Sequence, residues 1–261
     1  MDEPSLPSAA ELGVSDVEYE RILRDLRRRS GAVEPPTAPV RRRRSRRLPL
    51  AAVGLIAVVA LLPRLGTGDP EPEYAFLQTD HGQPVTYSSC RPVQVAVYPA
   101  GGPPDAEELV RDAVAQVRAA TGLDIVITGV FGGHAPNWNF EAAPVHPDDP
   151  ISVSWQDGAA IAQLTDHVAG VGGSRIIPGR NGSRHLGAGT VALSREYYAL
   201  LTERRDRGRE LAVLLHELGH VFGLAHVGSR NELMYKDVTD RSSYGPGDLE
   251  GLRLLGHGPC T

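Results

Sequence analysis

Apolar and polar positions alternate first at Val93-Gln94-Val95-Ala96-Val97-Tyr98, the two-residue period of a strand with one buried face. After a Gly- and Pro-rich turn over 99–104, Leu109, Val110, Ala113, Val114 and Val117 recur at helical spacing, which predicts a helix over 105–120. Thr121-Gly122 stops it, and 123–128 reads as a second strand. Strand, helix, strand with this connection length implies a parallel pair, because a tight hairpin joins only antiparallel strands. Residues 129–150 lack a period and read as loop. Strand patterns return at 151–155 and 189–193, with a weaker edge-strand candidate at 168–171. From Glu196 onward a helical pattern runs to about 222, interrupted near Asp206-Arg207-Gly208. Leu211, Leu214, Leu215, Leu218, Val221 and Phe222 supply its buried side. A last short helix covers 248–255.

The N-terminal third obeys other rules. Residues 1–14 are rich in Pro, Ser and acidic side chains, a composition expected to stay disordered. Ser15-Asp16-Val17-Glu18 matches a capping box and opens a short amphipathic stretch over 15–29, read either as a surface or partner helix or as a marginal helix without a role. A Pro-rich linker over 31–40 leads to Arg41-Arg42-Arg43-Arg44-Ser45-Arg46-Arg47 and then to an uncharged apolar run, Leu48 to Leu62. Arginines ahead of an apolar segment stay on the cytoplasmic side, so the chain beyond that segment is expected outside the membrane. The run is 15 residues long, between a signal-peptide core and a full span. The reading adopted is a cytoplasmic, largely disordered Arg-rich tail over 1–47, a transmembrane signal-anchor over 48–63, a linker over 64–84 and a folded domain over 85–261. The protein is then a single-pass cell-membrane protein with its N-terminus cytoplasmic and its domain extracytoplasmic; secretion after signal cleavage is the alternative.

Composition adds little to this division. Of 261 residues 41% are hydrophobic, enough for a substantial core, and a net charge of -5 gives no case for nucleic-acid binding. The sequence carries no signal for oligomeric state.

The chemistry is concentrated in His216-Glu217-Leu218-Gly219-His220-Val221-Phe222-Gly223-Leu224-Ala225-His226. Histidines four apart share one face of a helix and can bind one ion. Glu217, beside the first of them, can reach a water on that ion without being a ligand. Gly223 can adopt φ > 0, end the helix and bring His226 back as a third ligand. Three imidazoles leave the fourth tetrahedral position of Zn2+ open, the mark of a catalytic site.

These residues, with Leu233-Met234-Tyr235 after a short loop and the acidic helix start Gly247-Asp248-Leu249-Glu250, resemble the metzincin metalloproteases, and among them the matrixins. The resemblance spans about 85–261 and is motif-level from 216 to 256. It implies an α+β fold: a zinc protease domain with a twisted mixed sheet, an active-site helix and a small C-terminal subdomain. It also implies that Met234 sits in a tight turn beneath the metal. The expected activity is zinc-dependent hydrolysis of peptide bonds in extracytoplasmic proteins, with Glu217 as general base and a protein or peptide as substrate. The alternatives are a membrane-tethered zinc-binding or sensing module without turnover, and a zinc hydrolase of a non-protein amide such as cell-wall peptide. Lys236 replaces the Pro usual after Leu-Met-Tyr in matrixins, and the only candidate for a latency cysteine is Cys90, in different surroundings.

Cys90 and Cys260 lie at the two ends of the expected domain, and in an exported chain a disulfide between them is the leading reading. Two free thiols, or Cys90 as an inhibitory zinc ligand, are the alternatives. His134, His146, His167 and His185 form no ligand-spaced cluster and are expected as exposed loop residues, as is His257. Asp148, Asp149 and Asp157 lie in no regular calcium loop. An extended substrate is expected to add to a sheet edge, near 168–171 or 190–193.

The anchor reading is checked by fractionation of the native producer. An anchored protein pellets with membranes, resists alkaline extraction and retains residues 48–63; a soluble product beginning beyond residue 63 contradicts it.

Overall fold

The computed structural model describes residues 73–133, 146, 148–161, 163–164, 168–179, 182–236 and 241–260. The expected tail, the anchor and the linker as far as residue 72 lie outside the described residues. All described residues fall in one unit, 65–261. Among them no helix is long and apolar enough to cross a membrane.

The described chain begins earlier than the expected domain boundary. A hairpin of β1 (Thr79–Asp80) and β2 (Gln83–Pro84) precedes β3 (Val93–Tyr98). Residues 73–84, expected as linker, are thus part of the folded domain: Leu77 N–H donates to Gly223 O at 2.9 Å and Val85 N–H to Gln78 O at 3.0 Å. Tyr74 and Phe76 supply the apolar contact that a linker lacks, their rings 5.5 Å apart.

β3 leads into helix α1 (Ala106–Thr121), whose five expected apolar positions are all buried. Gly122 closes α1 at φ 72, donating its N–H to Arg118 O. β4 (Ile125–Val130) then pairs parallel with β3, as the crossover requires. β5 (Ile151–Gln156), β6 (Gly170–Pro178) and β7 (Arg184–Ser194) complete a five-stranded sheet in the order β4-β3-β5-β7-β6. All pairs in it are parallel except β6–β7, which is antiparallel. The fold is α+β, with a mixed sheet and, among the described residues, four helices.

β6 occupies one edge of the sheet and β7 lies inside it, between β5 and β6. Of the two expected edges, 190–193 is therefore excluded, and the edge near 168–171 extends to Pro178. Its weak pattern has a steric cause. At Gly172 a Cβ would run into the backbone carbonyl of Glu217, and at Gly170 it would lie 2.9 Å from Glu217 Cγ. The edge strand has to be bare where the helix crosses it, so it shows no alternation of side chains.

α2 (Arg195–Arg204) is capped by Ser194, which accepts from Tyr197 N–H. Arg205, at φ 55, breaks the helical run, and Asp206 caps α3 (Arg207–Phe222). Tyr198 OH donates to Glu210 O at 2.7 Å and ties the two helices together. Leu214, Leu215, Leu218, Val221 and Phe222 bury α3 against the sheet, while Leu211 is only partly buried. α4 (Pro246–Leu255) begins two residues before its expected start, with Pro at N1. It packs on α1 and α3, and Leu252 and Leu255 join the core.

Cys90 and Cys260 are joined, with Cα atoms 5.2 Å apart and a separation of 170 positions in sequence. Closing so long a loop restricts the unfolded chain by up to about 5 kcal/mol in chain-entropy models. Cys90→Ala combined with Cys260→Ala is expected to lose most of that, read as a fall in unfolding free energy in denaturant titrations. No change in those titrations would show that the loop is already restrained in the unfolded state.

Candidate metal centre

α3 carries His216 and His220 one turn apart, and its end brings back the third histidine. Gly223 sits at φ 112, its N–H donating to Gly219 O and His220 O, both at 3.1 Å. Leu224 N–H donates to Gly219 O at 2.9 Å, so the helix ends on satisfied carbonyls and the chain reverses. The reversal sets His226 Nε2 at 3.1 Å from both His216 Nε2 and His220 Nε2. Among the described residues these three form the one His, Cys, Asp and Glu group whose ligand atoms converge.

Their tautomers are set by what the other ring nitrogens touch. His216 Nδ1 lies 2.8 Å from Leu233 O, and His220 Nδ1 lies 2.8 Å from Leu224 O. A carbonyl can only accept, so each Nδ1 carries the proton and each Nε2 presents a lone pair. Burial, reinforced by the neighbouring histidines, pushes His216 down to about 4 and His220 down to about 3, against the carbonyl bonds, which act in the opposite sense. Both rings are neutral at neutral pH. Convergent neutral imidazoles fit Zn2+, which takes three such ligands in catalytic sites.

Glu217 comes directly after His216 and is buried. Burial pushes its carboxyl up to about 8, opposed by the backbone N–H of Gly172 on β6. The bare edge strand thus touches the acid of the motif directly.

Below the histidines, Met234 is fully buried, and Met234 Sδ occupies the space a Cβ on Gly219 would fill. Its carbonyl accepts from Val227 N–H at 3.0 Å, which joins its turn to the loop of His226. Tyr235 lies beneath the Arg230 guanidinium, 5.3 Å from ring centroid to charge.

Sequence reasoning missed the support of this turn. Asp248, at N3 of α4, accepts from Leu233 N–H at 2.5 Å, Met234 N–H at 3.3 Å and Gly245 N–H at 2.9 Å. The Leu233 peptide is therefore held at one end by Asp248 and holds His216 at the other. Glu232 accepts from Asp248 N–H at 3.0 Å, and Tyr244 OH donates to Leu215 O at 2.6 Å. An acid three residues after Gly245 signals a helix start, but nothing local says that its carboxylate serves a distant turn.

The remaining candidates are apart from this group. Cys90 is engaged with Cys260, so neither free thiols nor an inhibitory Cys90 ligand apply. His134 and His167 lie outside the described residues. His146 is exposed and pairs with its neighbours: its N–H donates to Asp149 Oδ2 at 2.8 Å, and its Nδ1 accepts from Asp148 N–H at 3.3 Å. Asp157 caps the turn after β5, accepting from Ala159 and Ala160 N–H. His185 is a correction: expected in an exposed loop, it is buried on β7, with no hydrogen-bond partner for either ring nitrogen among the described residues.

Residues 130–252 match the family model described as Matrixin. No curated protein matches the chain. Among solved structures, an archaemetzincin from Methanopyrus kandleri aligns at TM-score 0.38 and 18% identity, covering 61% of this chain and 93% of its own. Metalloproteinase-II from Bacteroides fragilis aligns at TM-score 0.37 and 16% identity, covering 74% of this chain and 60% of its own. An archaemetzincin from Archaeoglobus fulgidus complexed with malonate aligns at TM-score 0.36 and 14% identity, covering 60% and 99%.

The depressed histidines set a pH dependence. An unfolded histidine takes up a proton near its ordinary value of about 6.5, whereas His216 and His220 resist it down to about 4 and about 3. The unfolded chain binds more protons between these limits, so stability rises with pH there. The metal-free domain is expected to keep this stability above a pH of about 6.5 and lose it as pH falls toward about 3. Denaturant midpoints of chelator-treated protein measure it; a His216→Gln/His220→Gln variant should show a shallower dependence over the same range.

Proposed function

We propose, from a metzincin-like domain whose residues 130–252 are matrixin-like, that this protein is a zinc-dependent endopeptidase acting on extracytoplasmic proteins or peptides. The observation that carries the reading is the convergence of three histidines, with His226 Nε2 at 3.1 Å from each of the other two Nε2 atoms, beside a buried glutamate. His216, His220 and His226 would hold the ion. Zinc bound there supplies Lewis acidity and lowers the pKa of a coordinated water.

Glu217 then serves as general base. Burial favours the protonated carboxyl in the metal-free chain, and the charge of an ion held by the histidines would favour the carboxylate, which would accept the proton of the attacking water and deliver it to the amine that leaves when the peptide bond breaks. Gly172 N–H contacts this carboxyl, which restricts the directions it can take. β6 offers the free edge of the sheet beside α3, and an extended substrate adding there would run past the motif with its backbone hydrogen-bonded. A zinc-binding module without turnover would have no use for a buried acid beside the ligands, since burying a carboxyl costs stability.

Glu217→Ala is expected to keep about one zinc per chain while peptide hydrolysis falls by about 10²–10⁴-fold, the usual size of a general-base contribution. Cleavage of a peptide library with and without chelator, beside metal analysis of both proteins, checks this. Undiminished hydrolysis in the variant would remove Glu217 from its role. Zinc binding without peptide cleavage in the parent would favour the sensing module, or a non-protein amide if cell-wall fragments are cleaved instead.

A further inference from the structure

The segment that enters the domain is paired with the turn that carries the third histidine. Leu77 N–H donates to Gly223 O at 2.9 Å, and Ala225 N–H donates to Ala75 O at 2.8 Å. Phe76 and Leu224 form an antiparallel bridge between these bonds. Further along, Gly228 N–H donates to Glu73 Oε1 at 3.0 Å. Residues 73–77 therefore bracket His226, with bonds at 223 and 225 on one side and at 228 on the other.

The same segment bears on a second ligand. Leu224, the residue bridged by Phe76, supplies the carbonyl that fixes the His220 ring. Two glycines of α4 show how closely the segment is seated. A Cβ on Gly247 would overlap the Glu73 backbone, and one on Gly251 would meet Tyr74 Cβ at 3.1 Å. The turn 223–228 has no regular secondary structure of its own to hold it, so its geometry depends on what it is paired with.

We propose that Glu73–Leu77 is a positioning strap for His226 and His220, so that detaching this segment weakens the metal site. This role rests on the zinc reading of the three histidines. Proteolysis or pulling on the chain just ahead of the domain would then lower metal retention without touching a ligand. None of the strap residues belongs to the converging ligand group; they act through residues 223–228.

The test measures zinc release to an excess of a chromogenic chelator from the full chain. Glu73→Gln weakens the charged bond to Gly228 N–H with little change of shape, and Leu77→Pro removes the donor to Gly223 O. Outer-shell partners of metal ligands typically alter affinity by about 10–100-fold, so release about tenfold faster is expected for Leu77→Pro and severalfold faster for Glu73→Gln. Cobalt-substituted protein should show an altered visible spectrum in both variants. The metal-free melting temperature of Glu73→Gln should stay within a few degrees of the parent, which separates positioning from general loss of fold. Equal release rates and unchanged spectra in both variants, with zinc held by the parent, overturn the strap alone. A parent that holds no zinc overturns the metal reading and the strap with it.

Discussion

Two backbone carbonyls set the character of this site. Leu224 O and Leu233 O each fix a histidine Nδ1 at 2.8 Å, and a carbonyl can only accept. The protons are thereby committed away from the centre, and the lone pairs of His216 and His220 face His226 Nε2 at 3.1 Å. Burial keeps both rings neutral, so protonation does not relieve the crowding at neutral pH. A cation at the centre would. The convergence of the histidines is in this sense a consequence of where two peptide groups are held.

Much of the rest of the domain holds those peptides. Asp248 grips the Leu233 and Met234 amides from the start of α4, and Met234 fills the space left by Gly219 on α3. Gly223 turns the chain so that Leu224 can face back toward His220, and Ala75 and Leu77 pair with that turn. The disulfide fixes Cys260, beyond α4, near the start of β3. Against another part of α3, glycines 170 and 172 let the edge strand approach until its backbone touches Glu217.

The features legible in the sequence were local and periodic. The helical spacing of α1, the β3–α1–β4 crossover, the break at Asp206 and the eleven-residue motif all express neighbours along the chain acting on one another. The fourfold spacing of His216 and His220 and the glycine at 223 place the site residues together on local grounds alone. The features that stayed hidden depend on partners far off in sequence. Residues 73–84 look like a linker because their hydrogen bonds reach so far along the chain, 155 positions in the case of Glu73 and Gly228. β6 hides its extent because its glycines answer to α3 rather than to the strand period. His185 lacks any local sign that β7 will bury it, and Asp248 reads as a helix cap until Leu233 is seen beside it.

Three Nε2 atoms, and no sulfur, are the proposed zinc ligands from this chain. X-ray absorption at the zinc edge on the purified full chain tests this most directly. The expected first shell contains nitrogen and oxygen scatterers at about 2.0–2.1 Å, with the multiple-scattering pattern of three imidazoles and one light-atom ligand. A shell containing sulfur, fewer than three imidazoles, or a spectrum unchanged in a His226→Ala variant would contradict it.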